Sequence, residues 1–183
     1  ARLAIEEARS EHAQLKGTLR ITTTVEFALA QVVPALEVFR QQQPQLNIHL
    51  STSSTHADLI SERFDLAIRL GRMHDSSLRA VQLSTFEVFA VAAPPLVERF
   101  APAATLAMLE SMPTLGHGRV PEMPVTDPAG TEHVYQPKPG TTAIVADNSA
   151  TLRAFALTGQ GVAILPQWLI QDDLEAGRLV EVM

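Results

Sequence analysis

No cysteine occurs in the 183 residues, which excludes disulfides, thiolate metal sites and a cysteine nucleophile together. Positive charge is also scarce. Fourteen Lys and Arg stand against 20 Asp and Glu, a formal net charge of −6, and the arginines are scattered rather than gathered in a basic stripe. Such a chain does not grip nucleic acid by itself, because phosphate contacts need clustered cations. No apolar run approaches the roughly 20 residues of a membrane span, and the opening ARLAIEEARSEHAQLKG is mixed in charge, so neither a span nor an export signal is read. Catalytic motifs are missing too: there is no Gly-x-Ser-x-Gly elbow, no phosphate loop and no zinc motif. Asp172 and Asp173 adjoin on a predicted helix and point to different sides, so they form no carboxylate pair. His49, His56, His74 and His133 lack metal-ligand spacing. The expectation is a protein that is not an enzyme and holds no cofactor and no metal.

Hydrophobic residues make up 46% of the chain, enough for the core of one large domain or of two small ones sharing a hinge. Ala1, Ile5, Ala8, His12 and Leu15 recur at alternating steps of four and three, the seam of a coiled coil or of a packed helix. A linker helix and an ordinary solvated N-terminal helix both fit, with Lys16 and Gly17 as its stop. From Thr18 the pattern becomes an αβ alternation. Leu19 to Thr23 reads as a strand, and Glu26 to Gln43 carries Leu29, Val32, Leu36 and Phe39 on one helical face. Pro34 inside that helix predicts a kink there or a helix that begins near it. Leu46 to Thr52 alternates as a second strand after Pro44. Thr55 to Asp58 fits a capping box ahead of a short helix, and Phe64 to Leu70 is a third, compact apolar strand. This β-α-β-α-β order predicts parallel strands joined by right-handed crossovers, with accessible loops at their carboxyl ends.

Phe86 to Ala92 reads as a further strand stopped by Pro94-Pro95. The prolines from Pro102 to Pro139 then predict irregular loops and hairpin-like strands of a second lobe. Asp147-Asn148-Ser149 caps a helix that Gly159 ends. Gly161 to Pro166 is a short buried strand, Trp168 to Glu175 a helix closed by Gly177, and Leu179 to Met183 a final strand cut short.

Asp65-Leu66-Ala67-Ile68-Arg69-Leu70-Gly71, followed by Ser77-Leu78, resembles a signature of LysR-type transcriptional regulators. Phe89 to Pro94 is similar to the strand that crosses between the two subdomains of their effector domain. Gly159-Gln160-Gly161-Val162-Ala163-Ile164-Leu165-Pro166 is similar to the family's Gly-x-Gly-(aliphatic)-Ala-x-Leu-Pro segment, and Leu174 to Leu179 ends in its Gly-Arg-Leu. Leu36, Phe39 and Pro44 also fall where that family's first helix and its turn are expected. Each motif alone is weak; their order and spacing from Gly17 to Met183 make the resemblance.

The resemblance implies an α/β, two-lobed, periplasmic-binding-protein-like (type 2) fold with crossover hinge strands. Its expected organisation is the end of a linker helix at 1–16, a first regulatory subdomain at 17–90 and a second at 91–183. It also implies that the winged helix-turn-helix and the C-terminal return to the first subdomain lie outside this chain. The function implied is that of a ligand sensor in the cytoplasm, with a small organic effector bound between two lobes. Partners would be that effector, an organic acid by preference, and further copies of the chain in a dimer or tetramer. DNA would be reached only through the missing domain, and no membrane is involved. A solute-binding protein of a transport system, which shares the fold, is the alternative; the N-terminal helix favours the regulator.

Candidate ligand residues follow from the strand ends. Thr22, Thr23 and Thr24 after the first strand, and Thr52 and Ser53 after the second, put hydroxyls where helix N-termini present unpaired amides suited to an anion. For all of them, plain helix capping is the competing reading, Thr55 being the stronger cap of its run. Arg69 could pair a ligand carboxylate or form an ion pair with Asp65 or Asp75. His117, between Gly116 and Gly118-Arg119, and Asn148 are the candidates in the second lobe, with structural histidine and helix cap as their alternatives. Trp168 is read as packing.

Overall fold

The computed structural model of the chain describes residues 15–53, 63–71, 79–100, 105–117, 122–137 and 140–183. The expected seam from Ala1 to His12, the capping box at Thr55 and Asp58, and the Ser77-Leu78 pair lie outside those residues, as do His56, His74, Asp75, Gly118 and Arg119. Two compact units divide the chain, Ala1–Asp75 and Ser76–Met183.

In the first unit Gly17, at φ +108°, opens strand β1 (Gly17–Thr23) in a conformation that glycine adopts without steric cost. β1 lies between two parallel neighbours, β2 (Leu46–Thr52) and β3 (Leu66–Ala67), in the order β2-β1-β3. β2 runs beside it from Gly17↔Leu46 to Thr23↔Thr52, and β3 meets it at Ile21↔Leu66 and Thr22↔Ala67. The third strand is shorter than the predicted Phe64 to Leu70. Hydrogen bonds from Asp65 N–H to the Arg20 carbonyl (3.0 Å) and from Ile68 N–H to the Thr22 carbonyl (2.9 Å) extend it by one residue at each end. Among the described residues β3 has β1 as its one partner, and a strand paired on one side has less to hold it in register.

The helix between β1 and β2 is continuous in direction but not in pitch. It consists of α1 (Val25–Phe27), a π-helical turn (Ala28–Val32) and α2 (Val33–Gln42). The wide turn immediately precedes Pro34, whose ring would strike the carbonyl four residues back in a regular helix. Here the Val33 N–H reaches Ala28 O, five residues back, and the irregularity predicted at the proline takes this form. It also corrects the predicted apolar face: Ala28 and Val32 are buried, whereas Leu29 is 70% exposed. The additional residue in the turn breaks the register of the stripe, and Leu29, within that turn, falls outside it.

The second unit is built on a mixed five-stranded sheet of order β10-β4-β9-β5-β8. In chain order its elements are β4 (Val88–Ala92), α3 (Pro94–Phe100), α4 (Leu106–Ser111), β5 (Thr114–Gly116), the hairpin β6 (Met123–Thr126) and β7 (Glu132–Tyr135), β8 (Thr142–Val145), α5 (Ser149–Leu157), β9 (Val162–Pro166), α6 (Gln167–Glu175) and β10 (Val180–Glu181). β4 runs antiparallel to β9 and β10, while β5 is parallel to β8 and β9. Both faces of the sheet are covered. Ala90, Ala92 and Val162 pack with Leu96, Leu109, Met112 and Tyr135 on one side, and Val91, Ala163 and Leu165 pack with Leu152, Ala156, Ile170 and Leu179 on the other. Alternate residues of one strand therefore enter opposite cores, which is why these strands read as unbroken apolar runs. Gly161 leads into β9 at a close approach: a Cβ there would lie 2.7 Å from the Pro113 carbonyl oxygen and 2.9 Å from Leu115 Cγ.

The proline-rich stretch yields the hairpin that its composition predicted. Asp127 closes the loop, accepting from the backbone amides of Ala129 (2.9 Å) and Thr131 (2.8 Å) and from His133 Nε2 (2.9 Å). The His133 hydrogen bond and then the Thr131 amide hold the Asp127 carboxyl below its usual range.

Across the other face of the sheet, Asp173 of α6 is fully buried, and its neighbour Asp172 is exposed. The Asp173 carboxylate accepts from Arg153 Nε of α5 and from Arg178 Nε (2.8 Å) just beyond α6. Burial by itself would raise this carboxyl, but the hydrogen bonds from the two arginines outweigh it and leave it below the ordinary carboxylate range. The group therefore contributes stability above that range, and the contribution is lost as pH falls through its depressed value. Replacing Asp173 with Asn should cost about 3 kcal/mol at neutral pH, the low end for a broken buried pair, because Arg153 and Arg178 are partly exposed and water can solvate them. Urea unfolding of the two proteins should show this gap above pH 5 or so and show it narrowing below about pH 4.

Candidate functional site

Parallel strands end at one edge, and in the first unit that edge gathers the predicted hydroxyls. Thr22 and Thr23, the last residues of β1, are fully buried, and Thr24 follows as the N-cap position of α1. Thr52, in register with Thr23, is exposed at the end of β2, and the Ser53 N–H donates to the Thr23 carbonyl at 2.9 Å. Arg69 leaves β3 at the same edge. Its guanidinium donates through Nη2 to the Thr22 hydroxyl at 3.1 Å and through Nη1 to the Ser53 carbonyl at 3.5 Å. Asp65 accepts from the Arg20 amide through Oδ2 at 2.8 Å; Asp75, the other ion-pair candidate for Arg69, lies outside the described residues.

Capping, the competing reading for the threonines, fails at Thr24. Its backbone has the extended φ of −79° and ψ of 155° of an N-cap residue, yet its side chain makes no cap hydrogen bond. The hydroxyl oxygens of Thr23 and Thr24 are both buried with no hydrogen-bond partner among the described residues. A buried hydroxyl without a partner is costly, by about 1–3 kcal/mol, and such an orphan in a native fold points to a group that it serves. The helix that follows starts beside them, with Thr24 at its N-cap position. Two buried hydroxyls with no partner among the described residues and a guanidinium on one sheet edge, beside a helix start, form an arrangement that can hold the acceptor oxygens of a small polar molecule. The sequence reading missed Glu26, a carboxylate 7% exposed in the first turn of the same helix. An acid in a first turn is what the helix dipole favours, and that ordinary signal hid its burial.

The second-unit candidates meet at another corner. His117 is exposed directly after β5, with Nε2 3.2 Å from the Ser149 hydroxyl at the start of α5. Asn148 is the N-cap of α5: its Oδ1 accepts from the Thr151 amide at 2.8 Å, while its Nδ2 donates to Asp147 Oδ1 at 3.2 Å. Both ends of that side chain are thereby engaged within the cap. Trp168 packs edge-on against Phe86, ring centroids 6.4 Å apart. Among the described residues no cluster of His, Asp or Glu is grouped to hold a metal ion, and no helix is long and apolar enough to cross a membrane.

Buried threonines elsewhere give a contrast. Thr114 in β5 is hydrogen-bonded to the Tyr135 hydroxyl at 3.1 Å. Thr23→Val should leave the stability of the unliganded protein unchanged or raise it by about 1 kcal/mol, whereas Thr114→Val should lower it by about 1–2 kcal/mol. Urea midpoints of the two variants test this, and equal losses would show that the Thr23 hydroxyl is satisfied in solution.

The LysR substrate binding domain family matches residues 12–183. The HTH-type transcriptional regulator PtxR of Pseudomonas aeruginosa is 27% identical over 180 residues, covering 98% of this chain and 57% of that protein. The HTH-type transcriptional activator AmpR of Rhodobacter capsulatus is 29% identical over 163 residues, covering 89% of this chain and 54% of that protein. This chain thus spans somewhat more than half the length of these relatives. The solved regulatory domain of CrgA from Neisseria meningitidis, a LysR-type transcriptional regulator, superposes with a TM-score of 0.74 at 24% identity, covering 91% of this chain and 81% of that one.

Proposed function

The chain belongs to the family of LysR substrate-binding domains, and on that premise we propose that it is the effector-sensing part of a bacterial LysR-type transcriptional regulator that responds to a small organic acid. Binding occurs at the carboxyl edge of β1, and the signal passes to a DNA-binding domain carried elsewhere in the full-length protein. The observation that carries this reading is the pair of buried hydroxyls of Thr23 and Thr24, without a partner among the described residues, at the start of a helix, with Arg69 on the same edge. Arg69 supplies the positive charge that favours a carboxylate over its neutral analogues. The net charge of −6 suits a module that leaves phosphate contacts to another domain.

The role proposed is sensing rather than turnover, in the cytoplasm and in a homo-oligomer. An effector of this kind works by binding one conformation more tightly than another, and the shift it produces is limited by that difference. A transport solute-binding protein would share the fold, but the relatives described above are named as regulators. The coding sequence upstream of Ala1 separates the two: a winged helix-turn-helix supports the regulator, and a signal peptide supports the transporter.

A thermal-shift screen of organic acids against their neutral amides tests the ligand class. An acid held only by the folded protein, at roughly 100 times its Kd, adds about 2.7 kcal/mol, a rise of about 5–10 °C for a protein of this size. Arg69→Met should reduce the preference for the acid over its amide by about tenfold, the loss of one charge-assisted hydrogen bond. Stabilisation by neutral compounds alone would overturn the carboxylate assignment.

A further inference from the structure

Thr22, Thr23 and Thr24 share a side-chain type but not an environment. The Thr23 and Thr24 hydroxyls have no partner among the described residues, while the Thr22 hydroxyl, on a residue with no exposed surface, accepts from Arg69 Nη2 at 3.1 Å. The backbone ties the same two places together. Ala67 stands opposite Thr22 in the β1–β3 register, and the Ile68 N–H donates to the Thr22 carbonyl at 2.9 Å. Arg69 is thus set beside Thr22 by the chain leading into it and again by the tip of its side chain. A long arginine side chain has much rotamer freedom to lose, and a charge-assisted hydrogen bond to a buried oxygen on a central strand is a way of fixing the plane of its guanidinium.

We propose that Thr22 is a positioning residue rather than a ligand contact: its buried hydroxyl orients the Arg69 guanidinium, and the effector is read by Thr23 and Thr24. What the oriented guanidinium serves rests on the effector reading given above; the contact itself does not. Threonine at 22 then acts at one remove from the ligand, and its neighbours act directly.

Peptide-resolved phenylglyoxal modification tests the assignment without a known effector, because that reagent reports on how accessible and how mobile each guanidinium is. In folded Thr22→Val, which keeps the β-branched shape and removes the hydroxyl, Arg69 should react about fivefold faster than in wild type, as expected for one lost hydrogen bond. Thr22→Ser should restore the wild-type rate, and Arg153, engaged by Asp173 in the second unit, should react equally in all three proteins. Should Thr22→Val lose its folded circular dichroism spectrum, Thr22→Ala is read in its place. An Arg69 rate unchanged by loss of the hydroxyl, or changed equally by the serine, overturns the proposal. Sodium benzoate and benzamide serve as probes in a second arm, where the acid should slow the Arg69 reaction in wild type more than the amide does, and should lose that advantage in Thr22→Val. An accelerated Arg69 in Thr22→Val, beside a wild type that no acid protects, upholds the contact between Thr22 and Arg69 and overturns the acid-effector reading instead.

Discussion

Parallel pairing of β1 with strands on both sides is the constraint on which the first unit depends. Parallel neighbours end at the same edge, so the last residues of β1, β2 and β3 are delivered together although they are far apart in the chain. Burial follows from the central position of β1: Ile21, Thr22 and Thr23 are covered, while Thr52 on the outer strand stays exposed. Chemistry follows from burial in turn. A hydroxyl on the outer strand can be satisfied by water, whereas a buried one needs a partner, and this separates Thr22, which has Arg69, from Thr23, which has none among the described residues.

The second unit solves a different problem. Its sheet is covered on both faces, and the strands that enter two cores carry small residues where helices lie close, as at Ala90, Ala92 and Ala163. Gly161 is the limiting case, since a single methyl group would collide with Pro113 and Leu115. Within one of these cores sits the Asp173 carboxylate, stabilised by two arginines whose side chains extend towards water. Such a carboxylate ties α5, α6 and the turn after α6 together, because its two oxygens accept from arginines in two different segments.

Much of this was legible in the chain as written. Alternation in Leu46 to Thr52 and the apolar runs at 88–92 and 162–166 marked their strands; Asn148 and Gly159 bounded α5 as cap and stop. Departures arose where a neighbour overrode local pattern. Leu29 fitted an apolar stripe but was turned out by the wide turn before Pro34, and Phe64 to Leu70 looked like a full strand but kept a short ladder. The candidate residues divide in the same way. The hydroxyl-rich strand ends and Arg69 were visible as residue types, while Glu26, an ordinary first-turn acid by sequence, is set apart only by its burial.

Residue order by itself determined the element types, the parallel β-α-β beginning, the hairpin among the prolines and the motifs of the LysR family, because periodicity, caps and breakers act over a few residues. Only the tertiary structure decided which of three successive threonines holds an arginine and which two have hydroxyls with no partner among the described residues. That distinction depends on an arginine more than 40 residues further along the chain, whose side chain reaches one of three water-excluded hydroxyls in the same local sequence.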